Sequence, residues 1–147
     1  MVKYSFVGKT DQGLKRKKNE DAVLVNEKDG FGLVADGIGG SRAGDVASRM
    51  FADTAREVFA KAGSLNDSTY TTIQKVFLNA NEYILDYARK HPGCDGMGCT
   101  AELFAVEEDR YVLGHIGDSR TYRMRNNELK QLTKDHSLVQ EQLDQQL

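Results

Sequence analysis

The chain has 147 residues, a length that suits one domain with a substantial hydrophobic core. Hydrophobic residues make up 39% of it and charged residues 29%, as is ordinary for a globular protein. The formal net charge of -2 gives no overall attraction that would select nucleic acid or an anionic membrane as a partner.

The N-terminal half predicts strands followed by helices. Val2–Val7 alternates weakly and predicts a strand, and the apolar runs Ala22–Val25 and Phe31–Ala35, separated by the turn-like NEKDG, predict a β-hairpin. An amphipathic helix is expected after the glycines of DGIGG, with the segment AGSLNDS ending it. A second helix carries an apolar stripe from Ile73 to Ala88 and ends at HPG.

The C-terminal half changes to a period of two. The segments CTAELFAV, RYVLGHIG, TYRMR and ELKQL predict four strands in a meander. A last helix is expected from Ser137, because Ser137 and Gln140 fit a capping box. The order of strands, two helices, strands and helix predicts an α+β fold with mostly antiparallel sheet, and it argues against the βαβ alternation of a dinucleotide-binding fold.

Three carboxylates are expected at one rim of the first hairpin. Glu20 and Asp21 precede its first strand and Asp36 ends its second, so the two strand ends lie side by side. Converging carboxylates repel one another unless a cation is present, and Mg²⁺ and Mn²⁺ take oxygen ligands of this kind. A divalent metal site is one interpretation, and Asp36 as a cap for the following turn or helix is the other.

Other polar positions allow a structural and a chemical interpretation. Asp118 in GDSR is typical of a turn aspartate, with Arg120 as a local partner. The basic run Lys15–Lys18 is typical of a solvated loop, but Arg16 lies five residues before Asp21 and its fork suits phosphate oxygens.

The cysteines and histidines indicate structural roles. Cys94 and Cys99 are the only two cysteines and lack a tight spacing motif, which predicts a free, reduced pair. His115 lies in an apolar strand, and His91 suits a helix C-terminus. The neighbours of His136 in the chain cannot form a Ser-His-Asp triad with it, so a position at a helix start is preferred.

Four segments, in order, read RKKNEDA, LVADGIGGSRAGDVAS, GMGCTAELFAV and HIGDSRTYRMRNNELKQLTKDHSLVQ. Together they resemble the metal-dependent, PPM-type (type 2C) serine/threonine protein phosphatases in their bacterial form. The resemblance implies an antiparallel β-sandwich flanked by helices. It also implies hydrolysis of phosphoserine and phosphothreonine on proteins, with Mn²⁺ or Mg²⁺ at a two-metal site and a third, weaker metal beside it.

The resemblance also implies the metal ligands. Glu20 and Asp36 match carboxylate ligands, and Asp36 matches the one that bridges both ions. Gly37 matches a glycine that ligates through its carbonyl oxygen, and Asp118 matches a ligand of the third metal. In this family two bridged ions share a water and direct it at phosphorus.

Two further roles follow from the same resemblance. Arg16 matches the arginine that binds the substrate phosphate, and Asp21 matches the acidic residue that holds metal-bound water. Eukaryotic members carry a histidine directly after the glycine as the proposed acid for the leaving group. Ile38 stands there in this chain, so the general acid is unassigned.

The family's domain is longer than this chain. It continues past the LTKDHS helix to two more metal-binding aspartates, in SDG and DN segments that are not present here. We therefore expect residues 1–147 to form a single, incomplete, C-terminally truncated domain with impaired activity. Such a chain would hold one ion or none firmly. It would also be prone to self-association through an unfinished sheet edge.

The expected partners are phosphoserine and phosphothreonine proteins and the pathway of an opposing Ser/Thr kinase, without nucleic acid or membrane. The N-terminus has no apolar signal core and the apolar runs are too short to span a bilayer, so we expect a cytoplasmic location. A non-catalytic phosphatase-like binding or regulatory module is the alternative function. A nucleotide-binding domain that uses DGIGG as a phosphate loop is less favoured, because a Walker lysine is missing.

Overall fold

A computed structural model of the chain describes residues 4–38 and 43–145. The strands are β1 (Asp21–Asn26), β2 (Phe31–Ile38), β3 (Gly98–Cys99), β4 (Ala101–Glu107), β5 (Arg110–Ile116), β6 (Tyr122–Arg125) and β7 (Glu128–Gln131). The helices are α1 (Gly44–Leu65), α2 (Thr69–Lys90) and α3 (Leu138–Asp144). Within the described ranges, none of the helices combines the length and apolar character needed to cross a bilayer.

Two antiparallel sheets confirm the α+β class. The larger has five strands in the order β1-β2-β4-β5, with β3 paired to the end of β2, and β6 and β7 form the smaller one. β1 and β2 are the predicted hairpin. β1 and β5 are the outer strands of this order, and the self-association expected through an unfinished sheet edge stays a prediction.

The core lies between the five-stranded sheet and the helices α1 and α2. β2 alternates buried and exposed residues, and Phe31, Leu33 and Ala35 turn inward. Phe31 is fully buried and stacks on Phe59 of α1, with ring centroids 4.0 Å apart. Every second side chain of β2 packs against the apolar faces of the two helices. Asp36 belongs to the other set and is therefore exposed on the opposite face of the strand.

The N-terminal segment corrects the strand predicted over Val2–Val7. Its described part, Tyr4–Val7, forms no strand. The amide N–H of Phe6 donates to the Glu27 carboxylate at 3.2 Å instead of to a neighbouring backbone, and its ring packs edge-on against Phe104 of β4. The segment is therefore held by side chains on the outer face of the sheet, beside a groove of about 590 Å³.

The predicted meander is wrong at one connection. β4 and β5 pair, and β6 and β7 pair through a turn whose residues Asn126 and Asn127 both have positive φ, but β5 and β6 share no ladder. The chain bends after β5 and starts a separate sheet. α1 also runs further than predicted, to Leu65, and ends at Asn66 in the left-handed conformation.

Candidate metal and phosphate site

The centre of the candidate site is the pair Asp21 and Asp36. They lie directly opposite each other in the register of β1 and β2, and both border the same cleft. The pKa of Asp36 is raised by burial first and then by the nearby Asp21 carboxylate. Two carboxyl groups this close, at the end of two paired strands, favour binding of a cation or retention of a proton on one of them.

The backbone fixes this edge against α1. The amide N–H of Gly37 donates to the carbonyl oxygen of Glu20 at 3.1 Å, and the Ser48 hydroxyl of α1 donates to the same oxygen at 2.6 Å. A Cβ on Gly37 would lie 2.1 Å from the carbonyl oxygen of Gly44, so only glycine permits this approach of β2 to the first turn of the helix.

The Glu20 and Arg16 side chains meet beside the pair. The closest atoms, Arg16 Nη1 and Glu20 Oε2, are 3.8 Å apart, and the Arg16 side chain is 63% exposed. The positive charge of Arg16 counteracts part of the rise in the pKa of Asp36. An exposed guanidinium at this position can reach an incoming anion.

Asp118 lies in the bend between β5 and β6, where the sequence placed a turn. Its charge adds to the rise in the pKa of Asp36 that burial and Asp21 cause, and the next residue, Ser119, borders the same cleft as Asp21 and Asp36. The expected local pairing with Arg120 is wrong, because both Asp135 carboxylate oxygens accept from Arg120, at 2.8 and 2.7 Å. That guanidinium lowers the pKa of Asp135.

The basic run next to the site is not simply solvated. Lys18 Nζ lies 2.6 Å from one oxygen of Asp45, and Arg49 Nη2 lies 3.1 Å from the other. The Asp45 side chain is almost buried in the first turn of α1. The Lys18–Asp45 ion pair therefore fastens the loop that carries Arg16 to the start of the helix, and Arg49 pairs with the same aspartate from within α1.

Sequence reasoning missed Thr100 and Ser119. The Thr100 hydroxyl oxygen accepts from the Asp36 amide at 3.3 Å and shares a hydrogen bond of 2.6 Å with the Ser119 hydroxyl. In the sequence, Thr100 is an ordinary residue at the start of a strand. Its contacts with residue 36 cross 64 positions of the chain, a separation that local pattern cannot bridge.

The cysteines and histidines have the structural roles that were expected. Cys94 and Cys99 are free, and burial raises the pKa of the Cys99 thiol to about 11, so it stays protonated. The His115 ring bonds to the Glu102 carboxylate and to the carbonyl oxygen of Lys134. The backbone N–H of His136 donates to Gly117, next to the Asp118 bend, and this residue precedes the Ser137 cap of α3.

The oxygen donors fit a hard divalent ion with few protein ligands. Within 4–38 and 43–145, no group of three or more His, Cys, Asp or Glu side chains is arranged to hold a metal. Asp21 and Asp36 border a cleft of about 400 Å³, whereas the Glu20 carboxylate is directed toward Arg16. Because Mg²⁺ is often held by one or two carboxylates and keeps several waters, the pair suffices to begin such a site. The ligand set predicted from the sequence stays a prediction.

The alternative role for Asp36 is a cap for the following turn or helix, and the turn, residues 39–42, lies outside the described residues. The N-cap residue of α1 is Ala43, which makes no side-chain cap hydrogen bond. Burial and the neighbouring Asp21 carboxylate raise the pKa of the Asp36 carboxyl group.

The raised pKa of Asp36 predicts how the metal-free protein responds to pH. An acid with a pKa raised by folding binds its proton more tightly in the folded state, so stability falls as pH rises from about the ordinary value of 3.8 through the raised folded pKa. Above that range the penalty is constant. In EDTA at neutral pH, we therefore expect Asp36→Asn to melt at a higher temperature than the wild type, with a difference that shrinks as pH falls. Thermal melts between pH 3 and 8 would refute this if the asparagine variant were the less stable at neutral pH.

Comparison with known proteins gives one consistent family. The family model described as Protein phosphatase 2C matches residues 6–142. A serine/threonine phosphatase stp from Listeria innocua is 38% identical over 140 residues, which cover 92% of this chain and 56% of that protein. The serine/threonine protein phosphatase PstP of Mycobacterium tuberculosis is 33% identical over 145 residues, which cover 95% of this chain and 26% of that protein.

Solved structures match as well. A crystal structure of the M. tuberculosis phosphatase PstP/Ppp superposes with a TM-score of 0.83 at 32% identity, covering 94% of this chain and 57% of that one. A structure of the PstP catalytic domain in complex with two manganese ions gives a TM-score of 0.79 at 32% identity, covering 94% of this chain and 58% of that one.

The chain thus spans just over half the length of the stp relative, and the expectation of a single, incomplete domain stays a prediction. The family match nevertheless covers nearly all of its residues. The chain belongs to the protein phosphatase 2C family.

Proposed function

We propose that the chain takes part in metal-dependent hydrolysis of phosphoserine and phosphothreonine on proteins. The observation that carries the proposal is the pairing of Asp21 with Asp36 at the end of the hairpin, with the exposed Arg16 beside them. Membership in the protein phosphatase 2C family, and a relative whose crystal structure holds two manganese ions, support this assignment of the acid pair.

The residues that would hold the metal lie at this edge. Asp36 would be the central ligand, with Glu20, the carbonyl oxygen of Gly37 and Asp118 as further ligands. When bound, Mn²⁺ or Mg²⁺ supplies Lewis acidity for water activation and neutralises phosphate charge. The hydrogen bonds from Gly37 and Ser48 to the Glu20 backbone hold the strand ends against α1. The backbone positions of the ligands are therefore set before an ion binds.

Arg16 and Asp21 would act on the substrate side. The guanidinium of Arg16 would donate to two phosphate oxygens of the substrate and hold the phosphorus atom over the cleft. The Asp21 carboxylate, which accepts from the Thr10 hydroxyl at 3.4 Å, would orient a water in the same cleft. Asp21 already borders the cleft without a ligand and Arg16 lies beside the acid pair, so substrate binding would not require a large movement of these side chains.

The proposed activity is weaker than that of a relative of full length. Because the chain spans 56% of the stp relative and the described residues gather two carboxylates closely, we expect slower turnover than from a relative of full length. The proposed substrates are proteins phosphorylated by an opposing Ser/Thr kinase, in the cytoplasm. The names of the relatives, which include serine/threonine phosphatases of several bacteria, support the substrate class.

The direct test is hydrolysis of a phosphothreonine peptide and of p-nitrophenyl phosphate by the purified chain. We expect phosphate release that depends on added Mn²⁺ and stops on chelation with excess EDTA, and that returns when Mn²⁺ is restored. Chelation removes the group that activates water, so the loss should be complete and reversible. A stp relative of full length, assayed beside it, sets the scale.

Two outcomes would contradict the proposal. Phosphate release that is insensitive to EDTA would exclude a metal-dependent reaction at this site. Saturable binding of the phosphothreonine peptide with no release at any Mn²⁺ concentration would favour the non-catalytic binding module instead.

A further inference from the structure

Thr100 lies between the end of β2, which carries Asp36, and the bend that carries Asp118. It is 2% exposed and stands between β3 and β4, beside the end of β2. Its amide N–H donates to the Asp36 carbonyl oxygen at 2.9 Å, and its hydroxyl oxygen accepts from the Asp36 amide at 3.3 Å. Both backbone polar groups of Asp36 are therefore bound by one residue.

The same side chain reaches the bend that carries Asp118. The Thr100 hydroxyl shares a hydrogen bond of 2.6 Å with the Ser119 hydroxyl. Its methyl group fills the space beside Gly117, where an added Cβ would lie 2.6 Å from it. Since Gly117 has a φ of +98°, a larger residue is excluded by conformation as well as by space.

We propose that Thr100 is a positioning residue for the cation site, because its hydroxyl group links the backbone of Asp36 to the Asp118 bend. The inference rests on the proposed function in one respect, namely that the ion sits between these two segments. The link joins the Asp36 end of β2 to the Asp118 bend that follows β5, and β2 and β5 share no ladder with each other. A group that orients ligands without touching the metal typically contributes about 10- to 100-fold to metal affinity.

Three variants separate positioning from simple packing. Thr100→Val keeps the shape of the side chain and removes the hydroxyl group, and Thr100→Ser keeps the hydroxyl group. Thr72→Val is the matched control, because Thr72 is also 2% exposed and its hydroxyl donates to a backbone oxygen, Ser68 O, in α2. All three would be checked for folding by circular dichroism before use.

The measurement is Mn²⁺ titration followed by the electron paramagnetic resonance signal of free Mn²⁺. We expect Thr100→Val to bind Mn²⁺ at least about 10-fold more weakly than the wild type, with Thr100→Ser and Thr72→Val within about 2-fold of it. Equal affinities in Thr100→Val and wild type would overturn the proposal. So would an equal loss in Thr72→Val, since that would show a general effect of buried hydroxyl removal.

Failure of the proposed function can be told apart from failure of this inference. If the wild type binds no Mn²⁺, the metal assignment fails, and hydrogen exchange of the Asp36 amide, which donates to the Thr100 hydroxyl, decides the role of Thr100 in the metal-free protein. Loss of one hydrogen bond should raise that exchange about 5-fold in Thr100→Val and leave Thr100→Ser unchanged. Unchanged exchange in Thr100→Val would overturn the inference on its own.

Discussion

Replacing Asp36 with asparagine is expected to lower Mn²⁺-dependent phosphate release by about 100-fold or more, the upper end of what loss of a supporting residue costs a metal site. Asparagine keeps the size of the side chain and removes the charge that would neutralise the ion. Because burial, and after it the Asp21 charge, destabilise the ionised form of Asp36, the variant should remain folded and melt higher than the wild type without metal. Loss of activity together with a gain in stability separates a functional acid from a structural one.

The control is the same substitution at an exposed aspartate outside the candidate site. Asp109 lies in the turn between β4 and β5 and is 86% exposed, so Asp109→Asn should leave both turnover and stability near those of the wild type. Turnover by Asp36→Asn that equals turnover by Asp109→Asn would remove Asp36 from the proposed site.

Replacing Gly37 with alanine is expected to destabilise the fold by about 3 kcal/mol or more, because overpacking against rigid atoms cannot be relieved by a rotamer change. The new Cβ would lie 2.1 Å from the Gly44 carbonyl oxygen and 2.7 Å from that of Glu20. These are backbone atoms of α1 and of the residue before β1, so β2 would have to move away from the helix. The Asp21–Asp36 register would be disturbed with it.

The matched control is Gly98→Ala in the neighbouring strand. Gly98 of β3 pairs with Ile38 of β2, one step along the ladder from Gly37, and a Cβ on Gly98 meets nothing within 4 Å. Urea denaturation should show a change within about 0.5 kcal/mol for Gly98→Ala, as for other unstrained surface sites. A free energy of unfolding for Gly37→Ala close to that of Gly98→Ala would mean that β2 and α1 are not held as tightly as their contact indicates.

The hairpin that carries the acids follows from local pattern. Two apolar runs separated by NEKDG specify β1 and β2, and the turn then brings position 21 opposite position 36. The same reasoning found the capped start of α3, where Ser137 accepts from the Gln140 amide. These features depend on residues close together in the chain, which is why pattern predicts them.

The contacts between distant segments could not be predicted in this way. The partner of Arg120 is Asp135 rather than Asp118, since the bend after β5 brings residue 135 back to it. The weak alternation of Val2–Val7 resembled a strand, although the described residues there are held by aromatic packing and not by a ladder. Thr100 became visible as part of the site only when strands far apart in sequence were placed side by side.

The central claim is that a dication sits at the edge where Asp21 and Asp36 meet. Paramagnetic broadening of amide resonances by substoichiometric Mn²⁺ tests it most directly. The account predicts that signals of residues 20–21, 35–37 and 117–119 broaden first, while those of α2 and of β6 and β7 remain sharp. Broadening that begins elsewhere, or that spreads evenly over exposed acids such as Asp53 and Asp109, would contradict the account.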